Sequence, residues 1–298
     1  MIVRVPASSA NLGPGFDALG MALGLNLECR FEKAADLSIS ASGRDSTAIP
    51  CDETNLIWQT ILGIAASAGV DKVQSIKLHI HNEIPLGQGL GSSAAALTAA
   101  VVIASELLGL NWSRAQVLNE AARLEGHPDN AAACVHGGIV ASGIDSAGHA
   151  IAVRLPVPAD LSIAIVVPNF VLPTTQARLV LPECYSREDV VFNLQRATLL
   201  VAALATGSLE TLSWALDDRL HQPFRCALVA GLAEILALRT SGLLGCTLSG
   251  AGPSVLVFYE SGHDGVCERV REIFSAHGHE SETLFSAIAK HGFTLERA

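Results

Sequence analysis

Two short stretches of this chain gather the residue types that do chemistry. The first is Pro85–Ala95, P-L-G-Q-G-L-G-S-S-A-A, in which Gly87, Gly89 and Gly91 alternate and Ser92 and Ser93 follow. Glycines let a backbone approach a ligand closely and turn its N–H groups inward. A helix that starts at the serines adds unpaired N–H donors and partial positive charge. The stretch therefore predicts an anion cradle, with Ser92 and Ser93 able to cap the helix or reach a phosphate or a magnesium ion. A side chain at Gly89 would fill the space meant for phosphate. The second stretch is L-E-G-H-P-D-N, Leu124–Asn130. It places Glu125, His127, Asp129 and Asn130 around Gly126 and Pro128, and a tight turn there can aim all four polar groups at one spot. A capping turn before a helix at Pro128 accounts for Asp129 in part and leaves Glu125 and His127 unexplained.

Other chemistries find less support. The lysine of a Walker loop is missing, because Ser92 follows Gly91. The dinucleotide pattern G-x-G-x-x-G fails at Ser92, and no G-x-S-x-G occurs. The net charge of −10 argues against a nucleic-acid partner, whose phosphates need basic patches. Seven cysteines without a C-x-x-C read as reduced thiols of a cytoplasmic protein, not as disulfides or a zinc site. The opening M-I-V-R-V-P lacks the apolar core of a signal peptide. The longest apolar run, Ala94–Leu110, contains Ser105 and Glu106 and is short for a membrane span. Half of the residues are hydrophobic and 16% charged, so the 298-residue chain can fill a core, in one large domain or two modest ones.

The remaining elements must hold these stretches in place. Val3–Val5 reads as a first strand, and Pro6–Asp17 as a loop too rich in Gly, Pro, Ser and Asn for regular structure. Asn11 and Asp17 flank Gly13, Pro14 and Gly15, an arrangement that suits a binding loop or a plain surface loop. Leu37, Ile39 and Ala41 alternate with serines as in a half-buried strand. Asp52–Asn55 offers caps for a helix to about Ala68. Ile76, Leu78 and Ile80 form the strand feeding the glycine loop, with His79 and His81 facing solvent. Trp112–Leu124 reads as a helix, and Ile139–Ala141, Ile151–Leu155 and Leu161–Val167 as strands. Pro156 and Pro158 mark a linker that divides the chain into 1–157 and 158–298. The second part is mostly helical in pattern, at Val190–Ala205, Leu209–Ala215 and Cys226–Arg239. In Cys246–Phe258 two apolar runs flank the loop S-G-A-G-P-S, and Gly292–Leu295 reads as an edge strand.

The glycine stretch resembles the phosphate loop P-x-x-x-G-L-G-S-S-A-A of the galactokinase, homoserine kinase, mevalonate kinase and phosphomevalonate kinase superfamily. Within it, S-A-N-L-G-P-G-F-D at Ser9–Asp17 and E-G-H-P-D-N at Glu125–Asn130 resemble signatures of homoserine kinases. The loop Ser249–Ser254 resembles the third superfamily signature, which packs against the phosphate site. The resemblance covers nearly the whole chain. It implies an α+β fold of two domains, the first like domain 2 of ribosomal protein S5 and the second ferredoxin-like.

It also implies phosphorylation of the side-chain hydroxyl of L-homoserine by ATP with Mg²⁺, a step of threonine biosynthesis. Pro85, Leu86, Gly87, Gln88, Gly89, Leu90, Gly91, Ser92, Ser93, Ala94 and Ala95 are then expected at the nucleotide. Asn55 is expected either beside the adenine or as a helix cap. Ser92, Ser93 and Glu125 are expected at the metal, and Glu125, His127, Asp129 and Asn130 at the reacting groups. The substrate is expected to meet Asn11, Asp17, His127, Asp129 and, less directly from the motifs, Thr174. Arg178 in P-T-T-Q-A-R and Arg225 in Q-P-F-R read alone as surface arginines. The resemblance makes them a clamp on the substrate carboxylate, for which a planar guanidinium is suited. Asp129 is open to two roles, proton acceptor or ammonium ligand. The expected partners are this small molecule and, at most, a second copy of the chain. A sibling kinase for mevalonate or a sugar, and a metabolite sensor without turnover, are the competing readings.

Overall fold

A computed structural model of the protein describes residues 1–297. In chain order the first part is β1 (Ile2–Ala10), β2 (Leu19–Lys33), β3 (Ser38–Gly43), α1 (Leu56–Ser67), β4 (Ile76–Asn82), α2 (Ser92–Leu107), α3 (Arg114–Glu125), α4 (Pro128–His136), β5 (Ile139–Ile144) and β6 (Ala150–Leu155). The second is β7 (Leu161–Pro168), α5 (Thr174–Leu179), α6 (Arg187–Thr206), α7 (Leu212–Ala215), α8 (Gln222–Arg225), α9 (Leu232–Ala237), β8 (Leu243–Leu248), β9 (Val255–Glu260), α10 (Val266–Ala276), β10 (Ser281–Ser286) and β11 (Thr294–Glu296). Among the described residues the strands form a seven-stranded sheet with the path β11-β1-β2-β4-β3, β5 and β6 branching from β2, and a four-stranded sheet β10-β7-β9-β8. The fold is mixed α+β. The order of the smaller sheet, with the chain running β7-helices-β8-β9-α10-β10, is the ferredoxin-like arrangement.

One core joins the two sheets. On β7, Ile163, Ile165 and Val167 face the main cluster, while Ala164 and Val166 face a second cluster with Val229, Leu232 and Phe274. Both faces of β7 are thus covered, which is why residues 163–168 read as a continuous apolar run instead of an alternating one. Helix α2 is buried along most of its length. Its Ala94, Ala95, Ala99 and Ala100 side chains are small enough for close approach to β1, α1, α3 and α4.

Several expectations need correction. Strand β1 continues through Pro6 to Ala10, where a loop was expected. Pro6 is tolerated because the β1–β2 register shifts between Pro6 and Ala7. The expected helix Cys226–Arg239 is helical only at Leu232–Ala237, since Gly231, at φ 82°, turns the chain into left-handed conformation just before it. The predicted edge strand at the end of the chain is β11, and it pairs with β1. Thr294–Glu296 therefore return from 158–298 to the sheet of 1–157. The sheets otherwise change between β6 and β7, across Pro156 and Pro158. No helix among the described residues is long and apolar enough to cross a membrane.

Candidate functional site

The phosphate-loop candidate leaves β4 and enters α2. Gly87, Gly89 and Gly91 all have positive φ, 68°, 77° and 67°. Side chains cap other helices of the same protein: Asn55 caps α1, Ser113 and Gln116 form a capping box on α3, and Ser186 caps α6. At α2 the cap residue is Gly91, and no side chain among the described residues satisfies the first-turn N–H groups. The turn before α4 is similar, with His127 at the cap position and no side-chain cap bond. The first turn of α4 keeps one side-chain bond, from the Asn130 N–H to Asp129, and both helix ends border one cleft of about 170 Å³.

A Cβ at Gly89 would lie 2.3 Å from the Ser249 carbonyl oxygen and 2.8 Å from that of Gly252. The space beside Gly89 therefore belongs to the loop between β8 and β9, which corrects the expectation that it awaits a phosphate. The Ser249 hydroxyl donates to the Gly89 carbonyl at 2.8 Å and lies 2.8 Å from the Ser9 hydroxyl, so two glycine-rich loops and the end of β1 are tied together.

The α3–α4 turn supplies the acids. Ser93 Oγ donates to Glu125 Oε2 at 3.0 Å. Burial raises the Glu125 carboxyl pKa and outweighs the opposing pull of His127 and Ser93. His127 Nδ1 lies 2.6 Å from Asp129 Oδ1, which also accepts the Asn130 N–H at 2.7 Å. Burial pulls the imidazole pKa of His127 down, but the Asp129 hydrogen bond and the charges of Asp129, Glu125 and Asp17 raise it overall. Asn130 accepts from the Ser8 hydroxyl. One ligand atom each from Asp17, His127 and Asp129 lies within 4.8 Å of the others, a cluster suited to a small cation.

The opposite wall is cationic. Arg178 on α5 holds Asp17 in a two-pronged pair at 2.8 and 3.1 Å. Arg225, at the end of α8, is 1% exposed and donates to Ala177 O, Gly250 O and His221 Nδ1. Burial first, and the charge of Arg178 second, lower its pKa to about 10. Asn11, at φ 71°, accepts the Asp17 N–H and donates to Gly250 O, so it braces the loop that presents Asp17. Such left-handed non-glycine residues store backbone strain, and three of them, Asn11, Leu12 and Asp17, stand in this one loop.

The cleft thus brings together Asn11, Asp17, Gly87, Gly89, Gly91, Ser92, Ser93, Glu125, His127, Asp129, Asn130, Thr174, Arg178 and Arg225. Of the other expected residues, Pro85, Leu90, Ala94 and Ala95 are buried as supports, and Leu86 N donates to Asp45. Gln88 keeps a buried side-chain oxygen without a partner among the described residues. Asn55 is not in the cleft wall. Its side chain accepts from Ile57 N and donates to Pro50 O, as a helix cap does. Sequence reading missed His221 and Phe16, which pack behind the two arginines. The spacing of His221 to Arg225, one helical turn, was the available signal for the first.

Residues 55–138 match the family model for the N-terminal domain of GHMP kinases. A homoserine kinase of Solibacter usitatus is 62% identical over 296 residues, spanning 99% of this chain and 97% of the relative. The chain belongs to the homoserine kinase family. The crystal structure of a homoserine kinase from Cytophaga hutchinsonii superposes with a TM-score of 0.83 at 29% identity, covering 99% of this chain and 96% of that one. The fold alone is shared with Lactococcus lactis galactokinase, at 15% identity, a TM-score of 0.73 and coverage of 98% and 94%. The competing reading as a mevalonate or sugar kinase is set aside by the first of these relatives.

Proposed function

We propose that this cleft transfers the γ-phosphoryl group of ATP to the side-chain hydroxyl of L-homoserine, releasing ADP and O-phospho-L-homoserine for threonine biosynthesis. The observation that carries the nucleotide half is the bare N-terminus of α2 behind a loop of left-handed glycines. Phosphoryl transfer asks a protein mainly to position groups and balance charge. Backbone N–H groups of the loop and of Ser92 and Ser93 hold the phosphates. The hydroxyl oxygen forms the new bond to phosphorus as the bond to the bridging oxygen of ADP breaks.

Ser92, Ser93 and Glu125 suit Mg²⁺ on two grounds. They offer oxygen ligands only, and Glu125 is a half-buried carboxylate whose charged form lacks a cationic hydrogen-bond partner among the described residues. The bound ion would neutralise phosphate charge. Arg225 and Arg178 hold the substrate carboxylate, and Asp17 the ammonium. Arg178 and Asp17 pair with each other in the free protein, and a zwitterion satisfies both when it enters between them. Asp129 has Oδ1 occupied by His127 and Asn130, so Oδ2 is the atom that accepts from substrate. Both the hydroxyl proton and the ammonium group suit it.

A coupled ADP-release assay tests the reading, with homoserine, mevalonate, galactose and no acceptor in parallel. Release that depends on homoserine and Mg²⁺ supports it. Equal release with mevalonate or galactose, or full activity in EDTA, contradicts it.

A further inference from the structure

Arg225 is the largest fully buried side chain among the described residues, and a buried guanidinium is useful to a ligand only if it is aimed. His221 has 0% exposure and sits one helical turn before it. The His221 Nε2 lies 2.7 Å from the Gly13 carbonyl oxygen, and Nδ1 lies 3.0 Å from Arg225 Nη1. Gly13 O can only accept and Arg225 can only donate. The imidazole is therefore the Nε2–H tautomer, a donor to Gly13 and an acceptor from Arg225. Burial lowers its pKa, against the raising pull of Asp218, and Arg225 lowers it further, which keeps the accepting form neutral. Asp218 fixes the backbone beneath it by accepting the N–H groups of His221 and Gln222.

The same ring stacks on Phe16, with centroids 5.2 Å apart and planes inclined by 24°. Phe16 in turn lies 5.7 Å from the guanidinium of Arg178 and 5.6 Å from that of Arg225. Gly13, Phe16 and Asp17 belong to the single loop that Asn11 braces. One imidazole thus connects the loop that presents the ammonium ligand to the arginine that presents the carboxylate ligand.

We propose that His221 is a positioning residue for the acceptor, setting the spacing between the Asn11–Asp17 loop and the guanidinium of Arg225. The proposal rests on the reading of Arg225 as a ligand of the substrate carboxylate. His221 itself is fully buried and does not line the cleft.

Two exchanges cut the bridge at different ends. His221→Gln places an amide near the Nε2 position, keeps a donor for Gly13 and loses the acceptor for Arg225. His221→Asn places a carbonyl near the Nδ1 position and does the reverse. His221→Gln is expected to raise the homoserine KM about tenfold and to change the ATP KM by less than about twofold. His221→Asn is expected to raise the homoserine KM less. In an Arg225→Leu background the Gln exchange should add less than about twofold, because it acts through the arginine already removed. A folded His221→Gln protein with an unchanged homoserine KM overturns the proposal. So does an equal rise in both KM values, or an undiminished effect in the Arg225→Leu background. If Arg225→Leu alone leaves the homoserine KM unchanged, the carboxylate reading falls and the proposal with it. Should the variants not fold, ¹⁵N NMR of the wild-type imidazole decides. An Nε2–H tautomer whose Nδ1 signal moves with homoserine and not with ATP supports the proposal, and an Nδ1–H tautomer or an unmoved signal refutes it.

Discussion

Around Gly89 the wall of the cleft is main chain, and around Arg225 it is side chain. The proposed nucleotide end is made of glycines in left-handed conformation, a helix terminus without a side-chain cap and a second glycine loop pressed against the first. The proposed acceptor end is made of Asp17, Asp129, Arg178 and Arg225, side chains from separate elements, of which Arg178 and Asp17 form an ion pair. A substitution at the glycines acts through added bulk, and a substitution at the charged residues acts through lost charge. Substitutions in the two regions should therefore separate binding of ATP from binding of the acceptor.

The largest effect is expected at the backbone end. Gly89→Val puts a branched side chain against two carbonyl oxygens at 2.3 and 2.8 Å and forces a β-branched residue to φ 77°. Loss of ATP binding together with a lower Tm is expected by calorimetry. Gly87→Ala is the control, because its Cβ would first meet the movable Val171 side chain, at 3.4 Å. It carries only the conformational penalty, about 1–2 kcal/mol. Equal losses at the two positions would show that the loop is not set by contact with Ser249 and Gly252.

An intermediate effect is expected at the charged end. Asp17→Asn removes the acidic partner of Arg178, a pair more than a third exposed and so worth only ~0–1 kcal/mol to stability. The Tm should barely move, while kcat/KM for homoserine falls about tenfold or more, as loss of a charge-assisted bond predicts. The des-amino acceptor 4-hydroxybutyrate should be unaffected. A parallel loss with both acceptors would take Asp17 away from the ammonium group.

Legibility followed the same division. The nucleotide loop was readable because all of it lies in Pro85–Ala95, and glycine spacing reports backbone conformation directly. The E-G-H-P-D-N turn was readable for the same reason. The acceptor wall was not, because Arg178 and Arg225 look like any exposed arginine until α5 and α8 pack across the cleft, and only the family resemblance singled them out. His221 belongs to no motif, and its role depends on a Gly13 carbonyl 208 residues away. In the fold, long apolar patterns such as Ile76–Ile80 were legible. β10 was not, since Ser281–Ser286 has no fully buried residue and so no strong alternation. The return of β11 to β1 is a topological fact that local pattern does not carry.

The smallest effect concerns Glu125, which stands between the regions. Its pKa is raised in the folded protein, so its burial costs nothing below the unfolded carboxyl pKa. The cost appears as pH rises through the folded pKa, where the charged form must stay buried. Glu125→Gln should therefore raise the Tm by a few degrees at most near neutral pH, with the gain fading as pH falls toward the unfolded value. The same variant should need more Mg²⁺ for turnover. A Tm gain that grew toward acid pH would contradict the assignment of burial as the cause.

The proposed function has the two ends of the cleft holding different molecules by different means. Arg225→Leu tests it most directly, with homoserine kinetics and ATP affinity measured on the same folded preparation. The account predicts a fall of about ten- to a hundredfold in kcat/KM for homoserine and an ATP Kd within about twofold of wild type. Equal weakening of both ligands, or unchanged homoserine turnover, would contradict it.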